Sequence, residues 1–386
     1  AELYRPGEDS TELAYLRDQR MRLGGHIPNR QVHCAALKIP AIDEFAEFLG
    51  DYAGRDMSTT MVMVRLLSTL LKRSELGRYV VPIVPDEART FGMDGLFKVA
   101  GIYSPEGQKY RPVDADSLLP YREAADGQIL QEGICEVGAM ASFMAAGSAY
   151  AVHGLPMIPF YIFYSMFGFQ RVGDMIWSCG DMMCKGFLLG GTAGRTTLNG
   201  EGLQHQDGHS HILASTVPNL RSYDPAFGFE IAALVREGMH QMYELQEDVF
   251  YYLTLYNENY PMPSLVEIAE QTEVDEGEVL QGVIDGGYCF YRGSDRTECS
   301  VHILASGSIM QQALLARDAL EDLGVGICIW SITSFVELQR DALACQQHNR
   351  DNPQAEARVS RLERMFQGET GVFIAVTDYM AALAQG

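Results

Sequence analysis

The chain has 386 residues, 47% hydrophobic and 21% charged, with a formal net charge of −22 at pH 7. That is the balance of a folded protein with core enough for two domains. The acidic surplus, with no Lys/Arg run, excludes a broad nucleic-acid or anionic-membrane surface, because polyanions are held by basic patches.

The eight cysteines form no C-x-x-C pair and mostly sit in apolar runs, as Cys328 does in GICIW. The expectation is reduced, buried thiols in a cytoplasmic protein rather than a zinc ribbon or a disulfide scaffold. The acidic N-terminus AELYRPGEDSTE shows no signal-peptide pattern. Without an initiating Met, it reads as the start of a fragment or of a processed chain.

Residues 1–55 read as a polar, partly helical leading segment with loop signals at GGHIPNR. Ser58-Thr59-Thr60 are good helix caps, so a helix is predicted from there through VMVRLLSTLLKRSEL. YVVPIVPD is a short buried strand ending at Asp86, and residues 87–128 are irregular. A helix is predicted from about Leu130 to Val152, then a strand over MIPFYIFYS at 157–165 and a helix over roughly 169–186. Val137 to Gln170 contains no Asp, Glu, Lys or Arg, but His153, Gly154, Pro156 and Pro159 split it. Neither half reaches the ~20 apolar residues of a membrane span, so no membrane segment is expected. Residues 188–211, LLGGTAGRTTLNGEGLQHQDGHSH, read as one long polar loop. NLRSYDP and VFYYLTLY are strand-like and flank the helix PAFGFEIAALVREGMHQMYE.

This alternation predicts a doubly wound parallel α/β sheet, with functional loops at the carboxyl ends of its strands. Asp86-Glu87, Tyr164 to Phe167 and Asn257-Glu258-Asn259 would share one rim. A boundary is expected between about 260 and 298. Beyond it, SVHILASGS, a helix and VGICIWSITSF form a strand-helix-strand unit, and AVTDYMAALAQG begins another pair. The predicted division is therefore 1–55, 56–270 and 271–386, the last an incomplete second α/β domain.

Four clusters can carry chemistry. Glu136, in ILQEGICEVGAM, opens the uncharged stretch, and Glu132 lies one helical turn before it. Desolvation there would raise a carboxyl pKa, although both residues also suit a solvated helix N-terminus. The loop around His205, His209 and His211, with Glu201 and Asp207, is open to zinc ligation, catalysis or a structural role. Gly208 interrupts the continuous helix that a His-x3-His chelate needs. DEARTFGMDG follows a strand, where acidic residues serve as site groups or as turn and cap residues. The aromatics of YIFYSMFGFQRVGD can wall a flat heterocycle or simply fill a core. No G-x4-G-K-[ST], G-x-G-x-x-G after a strand, or G-x-S-x-G is present.

Taken in order, VPIVPDEARTFGMDGLF, GIYSPEGQKY, ILQEGICEVGA, LPMIPFYIFYSMFGFQRVGD, GGTAGRTTLNGEGLQHQDGHSH and TLYNENYPMP resemble the homodimeric bacterial type of pyruvate dehydrogenase. The resemblance runs nearly unbroken from Ser58 to Pro263 and continues more weakly through SGSI and SITSF to TDYM. It implies thiamine diphosphate with Mg²⁺, pyruvate as substrate, and transfer of acetyl to the lipoyl domains of a dihydrolipoyl acetyltransferase. It implies that Glu136 activates the aminopyrimidine through its N1′, that Phe167 packs on that ring, and that Tyr164 and His205 face the thiazolium and the substrate. Glu87 would be an active-site carboxylate near the imino end. ICEVG and HQDGHSH depart from the family's usual I-N-E-L-G and H-E-D-G-H-S-H, but Glu136 and His205 stand. The family's G-D-G metal motif is absent, since Gly50-Asp51, Gly173-Asp174 and Gly180-Asp181 are not followed by Gly. The metal ligands are therefore expected outside this chain, which alone would be inactive. A non-catalytic fragment and a transketolase-like enzyme are the alternatives.

Overall fold

The computed structural model describes residues 4–22, 24, 32–85, 88–198, 200–293 and 300–385. Asp86 and Glu87 lie outside the described residues. The strands, in chain order, are β1 (Val80–Val84), β2 (Ile102–Tyr103), β3 (Glu123–Ala124), β4 (Leu130–Gln131), β5 (Ile158–Tyr164), β6 (Phe187–Gly191), β7 (Leu220–Tyr223), β8 (Phe250–Thr254), β9 (Tyr288–Arg292), β10 (Val301–Ala305), β11 (Ile327–Ser331) and β12 (Val372–Val376). Six form a sheet in the order β4-β1-β5-β6-β8-β7. Every pairing in it is parallel. β2 and β3 make a small ribbon, and β12-β10-β11-β9 form a second sheet in which β9 runs antiparallel to β11. The fold is thus a parallel α/β sheet followed by a second, mixed α/β unit.

Helices cover both faces of the first sheet, so its central strands are apolar throughout rather than alternating. Every residue of β6 and β8 is buried, as is all of β5 except Tyr164. Phe160 and Phe187 stack across β5 and β6 with ring centroids 4.6 Å apart. The helix Thr59–Leu71 starts where the caps require, Ser58 accepting from the Met61 amide at 3.1 Å.

Three elements differ from expectation. Leu130–Gln131 is an edge strand, and the helix starts only at Glu136 because Gly133 and Ile134 take left-handed conformations, φ 69° and 44°. All of β6 but Phe187 falls in the stretch read as loop, 188–211; its two terminal glycines hide its strand character. They are needed, because a Cβ on Gly190 would lie 2.4 Å from Tyr252 Oη and one on Gly191 2.7 Å from the Phe91 ring. β9 falls in the stretch read as a boundary, since one antiparallel edge strand adds no second α/β repeat to the pattern. Among the described residues six cysteines are free thiols, but Cys328 is disulfide-bonded. Apolar surroundings correctly imply its burial and say nothing of its oxidation state.

The two units meet across a buried polar seam. Asp224, just after β7, accepts from Thr254 Oγ1 (2.6 Å), Tyr256 Oη (2.6 Å) and Ser306 Oγ of the second unit (2.7 Å). Its backbone pairs with Thr333 O and Gly307 N at 2.7 and 3.0 Å. Glu230, buried in the helix Gly228–Met239, accepts from Tyr288 Oη and Ser331 Oγ, both at 2.7 Å. Arg340 donates to the carbonyls of Leu220 and Val217 at 2.6 and 2.8 Å.

Burial pushes the Asp224 carboxyl up to about 6, against the three hydroxyl donors that favour the carboxylate. An unfolded Asp titrates near ~3.9, so the folded protein holds this proton more tightly. The resulting stabilisation is complete below that value and is lost as pH rises through about 6. At about 1.4 kcal/mol per unit it amounts to about 3 kcal/mol. Asp224→Asn, which cannot ionise, should gain stability relative to wild type by about 2–3 kcal/mol between pH 4 and 7.5. Urea denaturation across that range checks it; a pH-independent difference would refute the assignment.

Candidate active site

β5 delivers its last residue, Tyr164, directly into the helix Ser165–Asp181 with no intervening loop. The turn is that tight because residue 168 is glycine: a Cβ there would sit 2.1 Å from the Phe163 ring. Tyr164 and Phe167 consequently stand together at the carboxyl end of the strand, ring centroids 5.7 Å apart at 71°. Phe91 buttresses Tyr164 from behind at 5.2 Å.

The polar loop after β6 returns to this place. The His205 ring lies 5.4 Å from Tyr164 at 84° and 5.3 Å from Phe167 at 61°, edge-on to both. Its Nδ1 is buried without a hydrogen-bond partner among the described residues. Glu201 Oε2 is 3.4 Å away, within ion-pair range but without hydrogen-bond geometry. A buried polar atom left so is costly in a finished interior and common where a ligand completes the set.

Glu136 joins the group through a residue not singled out by the sequence. Arg171, one helical turn beyond Phe167, places its guanidinium 4.2 Å over the Phe167 ring and its Nη1 2.5 Å from Glu136 Oε1. The Glu136 side chain is only 14% exposed while Arg171 is 48% exposed. The carboxylate is therefore paired rather than isolated in apolar surroundings, as the run of uncharged neighbours suggested. The available signal for Arg171 was its place as the first charge after 34 uncharged residues, four beyond an aromatic. Glu132 is engaged elsewhere, accepting from Ser142 Oγ.

The other loop histidines go separate ways. His209 meets Gln170 Nε2 at 2.8 Å. His211 is buried, its ring nitrogens 2.6 Å from Ser222 Oγ and 3.0 Å from Thr254 Oγ1. The three imidazoles thus share no metal-binding position. Among the described residues, the metal-type side chains that converge are His302, Cys328 and Glu369, and that cysteine is disulfide-bonded. Asn257 closes the rim, donating to Thr192 Oγ1 at 3.2 Å. No helix among the described residues is long and apolar enough to cross a membrane.

Residues 37–263 match the family model for the pyruvate dehydrogenase E1 component middle domain, more than half of the chain. The chain belongs to the pyruvate dehydrogenase E1 family. Residues 286–386 match the transketolase-like TK C-terminal domain. The pyruvate dehydrogenase E1 component of Pseudomonas aeruginosa is 49% identical over 383 residues, 99% of this chain and 42% of that protein. Those of Corynebacterium glutamicum and Escherichia coli K12 are 47% and 46% identical, and the chain covers 40% and 41% of them. This E1 chain therefore spans about two fifths of the length of its curated relatives. Among solved structures, a transketolase from Campylobacter jejuni superimposes with TM-score 0.61 at 18% identity, over 90% of this chain and 43% of that one. A split-gene transketolase, described as an inactive beta4 tetramer, does so with TM-score 0.51 at 16% identity, over 83% of this chain and 89% of its own. At such identities the likeness is one of fold.

Burial holds the His211 ring down at about 4, with Asp207 pulling the other way. An unfolded His titrates near ~6.5, so its contribution is present above that pH and lost as pH falls through about 4. His211→Asn should cost about 1–3 kcal/mol at pH 7, the usual toll of a broken buried hydrogen bond. It should also flatten the acid-side loss between pH 6.5 and 4 in a denaturation series. An unchanged acid limb would show that His211 is not the group responsible.

Proposed function

We propose that this chain is the aminopyrimidine-holding part of a cytoplasmic, homodimeric, thiamine-diphosphate-dependent pyruvate dehydrogenase. The complete enzyme decarboxylates pyruvate and passes the acetyl group to the lipoyl domains of a dihydrolipoyl acetyltransferase. The observation that carries this reading is the joining of Tyr164, Phe167 and His205 at one strand end, with Glu136 linked to them through Arg171.

The residues suit the cofactor's ring end. Half-buried aromatic faces take a flat heterocycle. A largely enclosed carboxylate can hydrogen-bond a ring nitrogen and exchange a proton with it, and the unpartnered His205 Nδ1 is available to a ligand atom. Phe167 would pack on the aminopyrimidine, Glu136 would hydrogen-bond its N1′, and Tyr164 and His205 would face the reacting end. Glu87 is assigned by family resemblance to the imino end. When bound, thiamine diphosphate supplies the nucleophilic carbon and the electron sink that decarboxylation of a 2-oxo acid requires.

The chain's own part is positioning and proton custody. Arg171 keeps Glu136 charge-balanced and oriented, while the aromatic trio shields the site from water. We assign Mg²⁺ and the diphosphate to another part of the protein, because no G-D-G is present here. The isolated chain would accordingly be inactive. Homodimer formation is supported by the outward face of the helix Glu136–Gly147, where Val137 is 54% exposed and Ala141 and Ala145 are also exposed. The transketolase-like alternative has only a likeness of fold in its favour.

In the full-length enzyme, Glu136→Gln should lower pyruvate decarboxylation by about 10²–10⁴-fold while leaving the melting temperature unchanged, the usual worth of a positioned acid–base group. Near-normal turnover would end this assignment. His205→Ala should slow turnover with melting and thiamine diphosphate affinity unchanged. A destabilised variant whose folded fraction works normally would remove His205 from the site.

A further inference from the structure

Three consecutive residues of the second unit, Asp378-Tyr379-Met380, reach back into the first and hold both ends of the loop that carries His205. They lie just past β12, in the second sheet. Asp378 is 8% exposed. Its Oδ2 accepts from the backbone amides of Arg195 and Thr196 at 3.2 and 3.3 Å, and its Oδ1 accepts from Thr196 Oγ1. The approach requires glycine at 194: its φ is +80°, and a Cβ there would lie 2.5 Å from Asp378 Oδ2. Two residues on, the Met380 amide donates to Gly208 O at 2.8 Å. Between them the buried Tyr379 ring meets His211 edge-on, centroids 4.7 Å apart at 84°.

The two ends so held also touch each other. The Arg195 guanidinium lies against Gly208, where a Cβ would be 1.5 Å from Nη2. Residues 194 and 208 thus form the neck of a compact loop whose crown contains His205. Compact loops with close ends are packed by their own groups. Here the His205 amide donates to Gly202 O at 3.0 Å and Gln206 Nε2 to Glu201 O at 3.2 Å, so holding the neck fixes the crown as a unit. The carboxylate's bonds are charge-assisted and largely removed from water, which makes them strong holds on the 195–196 end of the neck.

We infer that Asp378 is a positioning residue for the reaction: through the 194–208 neck it fixes the His205 ring against Tyr164 and Phe167. The inference rests on the role proposed for His205, and it places a determinant of the first unit's site in the second. A small displacement of a catalytic group is enough to matter, since about 1 Å can cost about a hundredfold.

The test uses the full-length enzyme and two independent readouts. Asp378→Asn keeps the size of the side chain but removes its charge and leaves one acceptor oxygen in place of two, so the bonds to Arg195 and Thr196 lose their charge assistance. Backbone amide exchange of residues 197–207 should rise about tenfold or more, the equivalent of one lost charge-assisted hydrogen bond, with β10 and β11 unchanged. Turnover should fall roughly 10–100-fold with little change in the KM for pyruvate. Combined with His205→Ala, it should add no further loss, because both variants remove the same placed ring. Thr196→Val, which removes a single hydroxyl donor, should show the same pattern at smaller amplitude and serves if Asp378→Asn does not fold. Unchanged exchange in 197–207, or losses that multiply in the double variant, would overturn the inference. If the loop loosens while His205→Ala alone retains full turnover, the clamp stands and the catalytic role of His205 falls instead.

Discussion

Everything in this molecule leans on carboxylates buried between two sheets. Asp224 and Glu230 belong to the first unit, yet hydroxyls of the second satisfy them: Ser306, Tyr288 and Ser331. A buried carboxyl is costly unless each oxygen is met, so the first unit's interior is completed only when the second is docked against it. This makes the second sheet a structural requirement rather than an appendage. It also brings the strand end that carries Asp378 within reach of the rim of the first sheet.

The site is a product of that rigidity. β5 and β6 are fully buried apart from Tyr164, and a strand that runs straight into a helix leaves its terminal aromatics no freedom to drift. Tyr164 and Phe167 are thereby fixed, and the loop after β6 has only to bring one imidazole to them. Charge is managed locally: Arg171 spans Phe167 and Glu136, so the mostly enclosed carboxylate is met by a guanidinium that itself stays half in solvent. His211, six positions after His205 in the same histidine-rich stretch, is spent on holding strands together through Ser222 and Thr254.

Much of this was readable beforehand. Apolar runs at β1, β5 and β8, alternating with helices, announced a parallel sheet because burial on both faces leaves a plain compositional mark. The helix cap at Ser58 and the placement of Tyr164 and Phe167 at a strand end followed from local chemistry and strand position. β6 was illegible for the opposite reason: Gly190 and Gly191 are poor strand formers, and what makes them strand is the space taken by Tyr252 and Phe91, which only the assembled structure reveals. The start of the Glu136 helix was misplaced because left-handed Ile134 leaves no signature in composition. Arg171 went unnoticed because an exposed arginine on a helix is ordinary until its neighbours are known. The Asp378 contact joins residues more than 180 positions apart, beyond what any local pattern encodes.

The paired glycines at the end of β6 carry one more implication. They leave the middle of the sheet thin, and the vacated volume is filled from either side by the Tyr252 hydroxyl and the Phe91 ring. Phe91 in turn props up Tyr164. A side chain added at 191 would press on that prop, and the disturbance would surface at Tyr164, Phe167 and His205 without any change to those residues themselves. The two positions least distinguished by chemistry are thus among the least free to vary, and the interior of the sheet, through what it lacks, sets the spacing of the rim.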